Sequence, residues 1–252
     1  MNKLTVRFVL TGLSVVIALL APAPWSSSSS AQAGTQTNHG ALNRMQYDYA
    51  VTEDGNGNFV VTYQYPRNSK EDIALAADSL NQAAAQFATD GAPFKATLVF
   101  KQPLASEEFR ALIHKADLAP TGSIMRGVGT DGDVVKLGVP PVWARDGAGH
   151  PIIGKPDIGG NPLDTDGLAR FITGKRQVRP IGVISTDVVL DGNMFAQVRQ
   201  DAHIYTIDVM QQVLLNMMRE KYPDVSRDKI QIQWSILYPA LERTSIAPKV
   251  TP

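Results

Sequence analysis

Apolar and polar residues alternate in two N-terminal segments of the chain. Residues 45–51 and 59–65 place aromatic, β-branched or other apolar side chains at every second position. This period of two is typical of strands that are buried on one face. The intervening segment, 54–58, reads DGNGN and supplies residues that tolerate the positive φ angles of a tight turn. We therefore predict a β-hairpin, followed by a helix that Ser69 caps and that places apolar residues from Ile73 to Phe87 at helical spacing.

Short apolar runs and helical patterns alternate through the rest of the chain. The patterns predict strands at 96–101, 123–128, 134–139, 181–190, 203–209 and 230–236. They also predict a second helix that Ser106 caps, and helices from about Met194 and from Met210. Because hairpins and crossover connections are mixed, the fold class is α+β, with helices packed on one face of a mostly antiparallel sheet. The N-terminal hairpin and helix and a C-terminal helix and strand are additions to that sheet.

Two segments break the pattern. Residues 140–162 are rich in proline and glycine and predict a long loop, and loops longer than about 12 to 15 residues are usually functional or mobile. A short helix is expected near 164–173. Residues 242–252 have no periodicity and are expected to be a disordered tail. We divide the rest into an N-terminal hairpin and helix unit, 34–94, and an α+β unit, 95–241, with one composite domain as the alternative.

The first 33 residues have the three parts of a secretory signal peptide. Lys3 and Arg7 give a positive start, residues 8–20 form an apolar run, and Ala31 and Ala33 form a small-x-small cleavage site. The apolar run is shorter than the roughly 20 residues that span a bilayer, which disfavours an uncleaved membrane anchor. We expect cleavage before Gly34, export to the periplasm or the extracellular space, and no stable membrane anchor afterwards.

Composition narrows the function classes. The 252 residues include 24 Lys and Arg, 24 Asp and Glu, and no cysteine. Removal of residues 1–33, which contain two basic residues and no acidic one, leaves 22 basic and 24 acidic side chains. A chain without a basic surplus is not expected to bind nucleic acid. The lack of cysteine excludes disulfides, thiolate nucleophiles and Cys-ligated metals.

The order of elements between about residues 96 and 209 resembles that of subtilisin-propeptide-like inhibitor domains. Residues 97–117, TLVFKQPLASEEFRALIHKAD, are similar to the start of such domains, and residues 200–209, QDAHIYTIDV, are similar to their end. The resemblance implies a ferredoxin-like βαββαβ fold and binding of a peptide or a protease. In that family the chain runs extended after the last strand, whereas residues 210–221 of this chain predict a helix.

Candidate chemistry is concentrated in the long loop. Arg145, Asp146, His150 and Asp157 form the best local cluster of polar residues, and we take them as candidate binding residues, with ordinary loop polarity as the alternative. Two carboxylates, Asp187 and Asp208, could act as an acid and base pair if their strands were neighbours. We find no nucleophile motif, metal-ligand spacing or dinucleotide-binding motif, and we expect no catalytic residue, cofactor or metal.

These observations favour a non-catalytic module that binds a protein or peptide in the cell envelope or the extracellular space. The partner would be an envelope or secreted protein or peptide. Two alternatives stay open. One is an extracytoplasmic hydrolase whose polar site lies in residues 145–157, and the other is a structural component of the envelope.

Overall fold

The computed structural model describes residues 32–33, 48–65, 69–129, 131–139, 143–156, 178–234 and 237–243. The strands in these ranges are β1 Gln32–Ala33, β2 Asp48–Glu53, β3 Phe59–Gln64, β4 Phe94–Leu104, β5 Gly122–Gly129, β6 Val134–Val139, β7 Trp143–Arg145, β8 Pro151–Pro156, β9 Val178–Leu190, β10 Ile204–Asp208 and β11 Ile230–Trp234. The helices are α1 Lys70–Thr89, α2 Ser106–Lys115, α3 Gly192–Arg199, α4 Met210–Lys221 and α5 Tyr238–Arg243.

The strands form two larger sheets and one small hairpin. The five-stranded sheet has the order β10-β4-β9-β5-β6, and every neighbouring pair is antiparallel. The four-stranded sheet has the order β1-β2-β3-β11, in which only β3 and β11 run parallel. Strands β7 and β8 pair with each other. The predicted α+β class, with mostly antiparallel sheets, is confirmed.

Local sequence signals explain the N-terminal elements. The Asp54 side chain accepts hydrogen bonds from the backbone N–H groups of Asn56 and Asn58, both at 2.9 Å, and Gly57 adopts a φ of 72° in the turn between β2 and β3. Ser69 caps α1, because its hydroxyl oxygen accepts a hydrogen bond from the Asp72 N–H at 3.0 Å. The predicted hairpin and helix cap are therefore present.

The five-stranded sheet is covered on both faces. On one face, Phe100 of β4 contacts Phe109 of α2, and Phe94 contacts Phe195 of α3. Thr97 lies on the opposite face, because side chains alternate along a strand. On that side α4 packs against β4 and β11, which belong to the two larger sheets. A single cluster of buried residues extends through both layers.

The C-terminal strand returns to the N-terminal hairpin. Each residue of β11 pairs in parallel with a residue of β3, from Ile230 opposite Phe59 to Trp234 opposite Tyr63. The N-terminal hairpin and the C-terminal strand thus share one sheet. The boundary at 94 and 95 between two units stays a prediction.

The structure differs from the sequence-based expectation in four places. Helices cover both faces of the five-stranded sheet, whereas the sequence predicted helices on one face. The predicted long loop, 140–162, contains the β7–β8 hairpin. The expected disordered tail begins inside α5, because that helix continues to Arg243. Ser106 is not the N-cap that the sequence predicted but the first residue of α2; the N-cap is Ala105, whose N–H donates to the Glu108 carboxylate at 3.0 Å. The helix expected near 164–173 lies outside the described residues.

Candidate binding groove

Three of the four predicted binding residues, Arg145, Asp146 and His150, lie on the β7–β8 hairpin, where turn geometry accounts for Asp146. Its carboxylate accepts hydrogen bonds from the backbone N–H groups of Ala148 and His150, both at 2.9 Å. These bonds, led by the one from His150, lower the pKa of Asp146. His150 Nδ1 lies 3.5 Å from Asp146 Oδ2, and its side chain is 79% exposed. The structure brings these two residues together at the surface as parts of a turn.

The other two predicted residues are Arg145 and Asp157. Arg145 is the last residue of β7, directly before the turn. Asp157 lies outside the described residues. The interpretation of this cluster as a binding site stays a prediction.

A buried carboxylate joins the two larger sheets. Asp208, which is 3% exposed, accepts hydrogen bonds from the Tyr65 hydroxyl at 2.5 Å and from the Met210 N–H at 2.9 Å. Burial raises the pKa of Asp208 to about 6. The Tyr63 hydroxyl lies 3.4 Å from that of Tyr65 and extends the polar cluster. Asp208 therefore connects β10 to the segment after β3 and to the first turn of α4.

The second carboxylate of the hypothesised acid and base pair lies on the same face of the sheet, two strands away. Thr97 of β4 pairs with Asp208 of β10 on one side and with Asp187 of β9 on the other. Its hydroxyl donates to Asp187 Oδ1 at 2.5 Å. Burial raises the pKa of Asp187, and the bond from Thr97 opposes that shift. Asp208, Tyr65 and Thr97 are buried, whereas Asp187 is half-buried. The hydrogen bonds from Tyr65 and Thr97 satisfy the two carboxylates and connect neighbouring segments of the core.

An accessible groove lies at the edge of the five-stranded sheet, between α1 and α3. We call it the β10 groove; its volume is about 330 Å³. Its lining residues come from α1, α3 and β10 and are Asp78, Asn81, Gln82, Ala85, Arg199, Ile204, Tyr205 and Ile207. Five of these eight residues have polar side chains and three are apolar, so the lining is mostly polar.

Asn81 fixes the position of α1 beside the edge strand. Its Oδ1 atom accepts hydrogen bonds from the Ile207 N–H at 2.9 Å and from the Thr206 hydroxyl at 3.2 Å. The Thr206 hydroxyl also lies 3.2 Å from the Ala77 carbonyl oxygen of α1. One outward N–H of β10 is therefore already satisfied by a side chain, which protects that part of the edge from pairing with another strand.

Two opposite charges line the β10 groove. Arg199 is the last residue of α3, and its guanidinium carbon lies 5.9 Å from the centre of the Phe195 ring. Asp78 lies on the exposed side of α1. The pKa of Tyr205 is raised mainly by the burial of Tyr205 and, to a smaller extent, by the negative charge of Asp78. Neither Arg199 nor Asp78 forms an ion pair within the described part of the chain. Both charges are available to a ligand.

Comparison of the chain with protein-family models, curated proteins and solved structures gives no match. None of the described helices is long and apolar enough to cross a membrane. Among the described residues, no three His, Asp or Glu side chains are grouped so that they could hold a metal ion.

Sequence reasoning missed the residues of the β10 groove, although one signal was available. Asn81 follows Ala77 by four residues and therefore lies near the apolar face of α1. A polar residue at such a position needs a partner, and that partner is the backbone of β10. Arg199 and Tyr205 carry no comparable signal, since nothing local shows that α1 packs beside them.

Proposed function

We propose that this protein is a non-catalytic, extracytoplasmic module that binds a peptide or an exposed segment of another protein. The observation that carries the proposal is the β10 groove, in which Arg199 and Asp78 line one accessible pocket without an ion pair to any described residue. A cation and an anion that have no ion-pair partner among the described residues favour a ligand with complementary charges. Peptides offer such charges together with apolar side chains.

The strand order supports a finer proposal about the fold. Strands β4, β5, β9 and β10, joined by α2 after the first and α3 after the third, lie in the order fourth, first, third, second. A ferredoxin-like βαββαβ unit has this arrangement, and we propose that residues 94–208 form one. Strands β6, β7 and β8 would then be an insertion between its second and third strands.

The path of the chain after β10 bears on how a partner would bind. In the inhibitor domains that the sequence resembles, an extended segment follows the last strand. Here α4 begins at Met210 and packs against β4 and β11. A binding mode that depends on an extended exit segment is therefore disfavoured, and the groove on the other side of β10 is the better candidate.

Export remains part of the proposal and is compatible with the groove. All residues that line it lie between Asp78 and Ile207, far from the proposed cleavage site. Cleavage before Gly34 would remove β1, which pairs with β2 at the edge of the four-stranded sheet. The five-stranded sheet would keep all of its strands.

A peptide-capture experiment tests the proposed function. The purified protein is equilibrated with a random hexapeptide pool, and bound peptides are quantified by mass spectrometry. Gln82→Trp would fill the groove, whereas Ala74→Trp places the same side chain on an exposed position of α1 that does not line it. We expect the wild type and Ala74→Trp to retain a subset of the peptides in preference to the rest of the pool. Gln82→Trp should lose this selective capture while its circular dichroism spectrum stays unchanged. No selective capture by the wild type, or equal capture by Gln82→Trp, would overturn the proposal.

A further inference from the structure

We infer that the β10 groove binds a peptide by its free C-terminal carboxylate, which Arg199 holds, while Asp78 selects a cationic group elsewhere in the same peptide. This inference rests on the proposed function and specifies its ligand. Its basis is the placement of the two charges, the remaining hydrogen-bonding capacity of Asn81 and the size of the groove.

Arg199 is suited to a carboxylate. A guanidinium presents several N–H donors in one plane and can bind both oxygens of a carboxylate at once. The contact with the Phe195 ring, which is itself buried, restricts where the guanidinium can lie. Arg199 is the only cation among the described lining residues, so an anionic group that enters the groove meets it there.

Asp78 argues against a ligand that is purely anionic. It is the only acidic residue among the described lining residues and is exposed on α1. An inorganic anion would gain attraction from Arg199 but would also be repelled by Asp78. A short peptide with a terminal carboxylate and an ammonium or guanidinium group satisfies both charges.

Asn81 can bind the peptide backbone between these charges. Its Oδ1 atom already accepts two hydrogen bonds, from Ile207 N–H and the Thr206 hydroxyl. Its amide nitrogen is a donor, and a peptide carbonyl oxygen is a fitting acceptor. The Ile207 N–H already donates to Asn81 Oδ1, so a ligand cannot pair with β10 at this position as an additional strand. We therefore infer that the ligand is recognised at its end.

The size of the groove agrees with a peptide end. A volume of about 330 Å³ is at the lower limit for small-molecule sites. The groove can therefore hold a few residues of a peptide but not the surface of a folded protein. The apolar surface is small, because Ala85 is only half-buried whereas Ile204 and Ile207 are buried, so it can contact at most one side chain of the ligand. The ligand class is thus a short peptide or a protein C-terminus, with a free carboxylate and a nearby basic group.

Two hexapeptide pools that differ only at the C-terminus test this inference. One pool ends in a free acid and the other in an amide, and capture by the whole protein is quantified as before. We expect the acid pool to be retained about tenfold or more over the amide pool, since a hydrogen bond to a charged group contributes about 1.5–3 kcal/mol. Arg199→Ala should remove this preference, whereas Arg219→Ala, an exposed arginine of α4 outside the groove, should keep it.

The possible failures are distinguishable. If neither pool is captured, the proposed function fails. If both pools are captured equally by the wild type, peptide binding stands and the assignment of the carboxylate is overturned, as it also is if Arg199→Ala keeps the preference for the acid pool. Captured acid peptides should be enriched in Lys and Arg, and Asp78→Asn should remove that enrichment. Capture without such enrichment would overturn the role of Asp78.

Discussion

Replacement of Asp208 by asparagine is expected to remove a large part of the pH dependence of stability between pH 4 and pH 7. Burial raises the pKa of this carboxyl from 3.8 to about 6, and the charge of Asp187 acts in the same direction. The hydrogen bonds from Tyr65 and Met210 favour the ionised form and offset part of the effect. The folded protein therefore holds a proton on Asp208 more tightly than the unfolded chain does.

The sign and size of the effect follow from this difference in pKa. The pKa of Asp208 is higher in the folded protein than in the unfolded chain, so protonation of Asp208 stabilises the fold. This stabilisation is fully present below the unfolded pKa of about 4 and is lost as the pH rises through about 6. The difference between 3.8 and about 6 corresponds to about 3 kcal/mol. An asparagine side chain has nearly the same shape, and its oxygen can still accept from the Met210 N–H, but it does not titrate.

Urea denaturation at pH 4, 5, 6 and 7 measures this contribution. The free energy of unfolding of Asp208→Asn, minus that of the wild type, should rise by about 2 kcal/mol from pH 4 to pH 7, because part of the total is already lost at pH 4. Any constant cost of the amide cancels in this comparison. Asn193→Gln, an exposed substitution that changes no ionisable group, is the control and should show a difference that does not vary with pH. A constant difference for Asp208→Asn would refute the reasoning.

Two further substitutions test the packing of the five-stranded sheet. Arg126→Met leaves the part-buried Glu242 carboxylate without its ion-pair partner, so we expect the free energy of unfolding to fall by about 3–5 kcal/mol. Adding Glu242→Met in a double variant should restore part of this loss. A loss below about 1 kcal/mol in Arg126→Met would contradict the prediction. Gly182→Ala would place a Cβ atom 2.6 Å from the Leu104 carbonyl oxygen and should lower the Tm. The control Gly138→Ala places its Cβ atom where nothing lies within 4 Å and should leave the Tm unchanged. Equal Tm values for the two variants would contradict the described packing.

Local signals made the N-terminal elements predictable. The turn at 54–58 and the cap at Ser69 depend on contacts within four residues, so the sequence contains all the information they need. The alternation in 59–65 also reflects burial directly. By contrast, the parallel pairing of β11 with β3 joins segments more than 160 residues apart and depends on how the whole core packs, so no local pattern could reveal it.

The candidate site could not be predicted from local sequence patterns either. Asp146 and His150 are close in sequence and form a polar cluster, yet their proximity is explained by hydrogen bonds of a turn. The β10 groove requires Asp78 of α1 and Arg199 of α3 to line one pocket, although more than 100 residues separate them. Only the tertiary packing of α1 beside β10, through Asn81, brings them together.

The most direct test of the central claim is amide chemical-shift mapping of the whole protein during titration with the acid-terminated hexapeptide pool. Binding in the β10 groove predicts that the largest changes fall in residues 78–85 of α1 and 199–207 around the end of α3 and β10. The β7–β8 turn at residues 146–150 should stay unchanged. Changes confined to that turn, or no saturable change anywhere, would contradict the account.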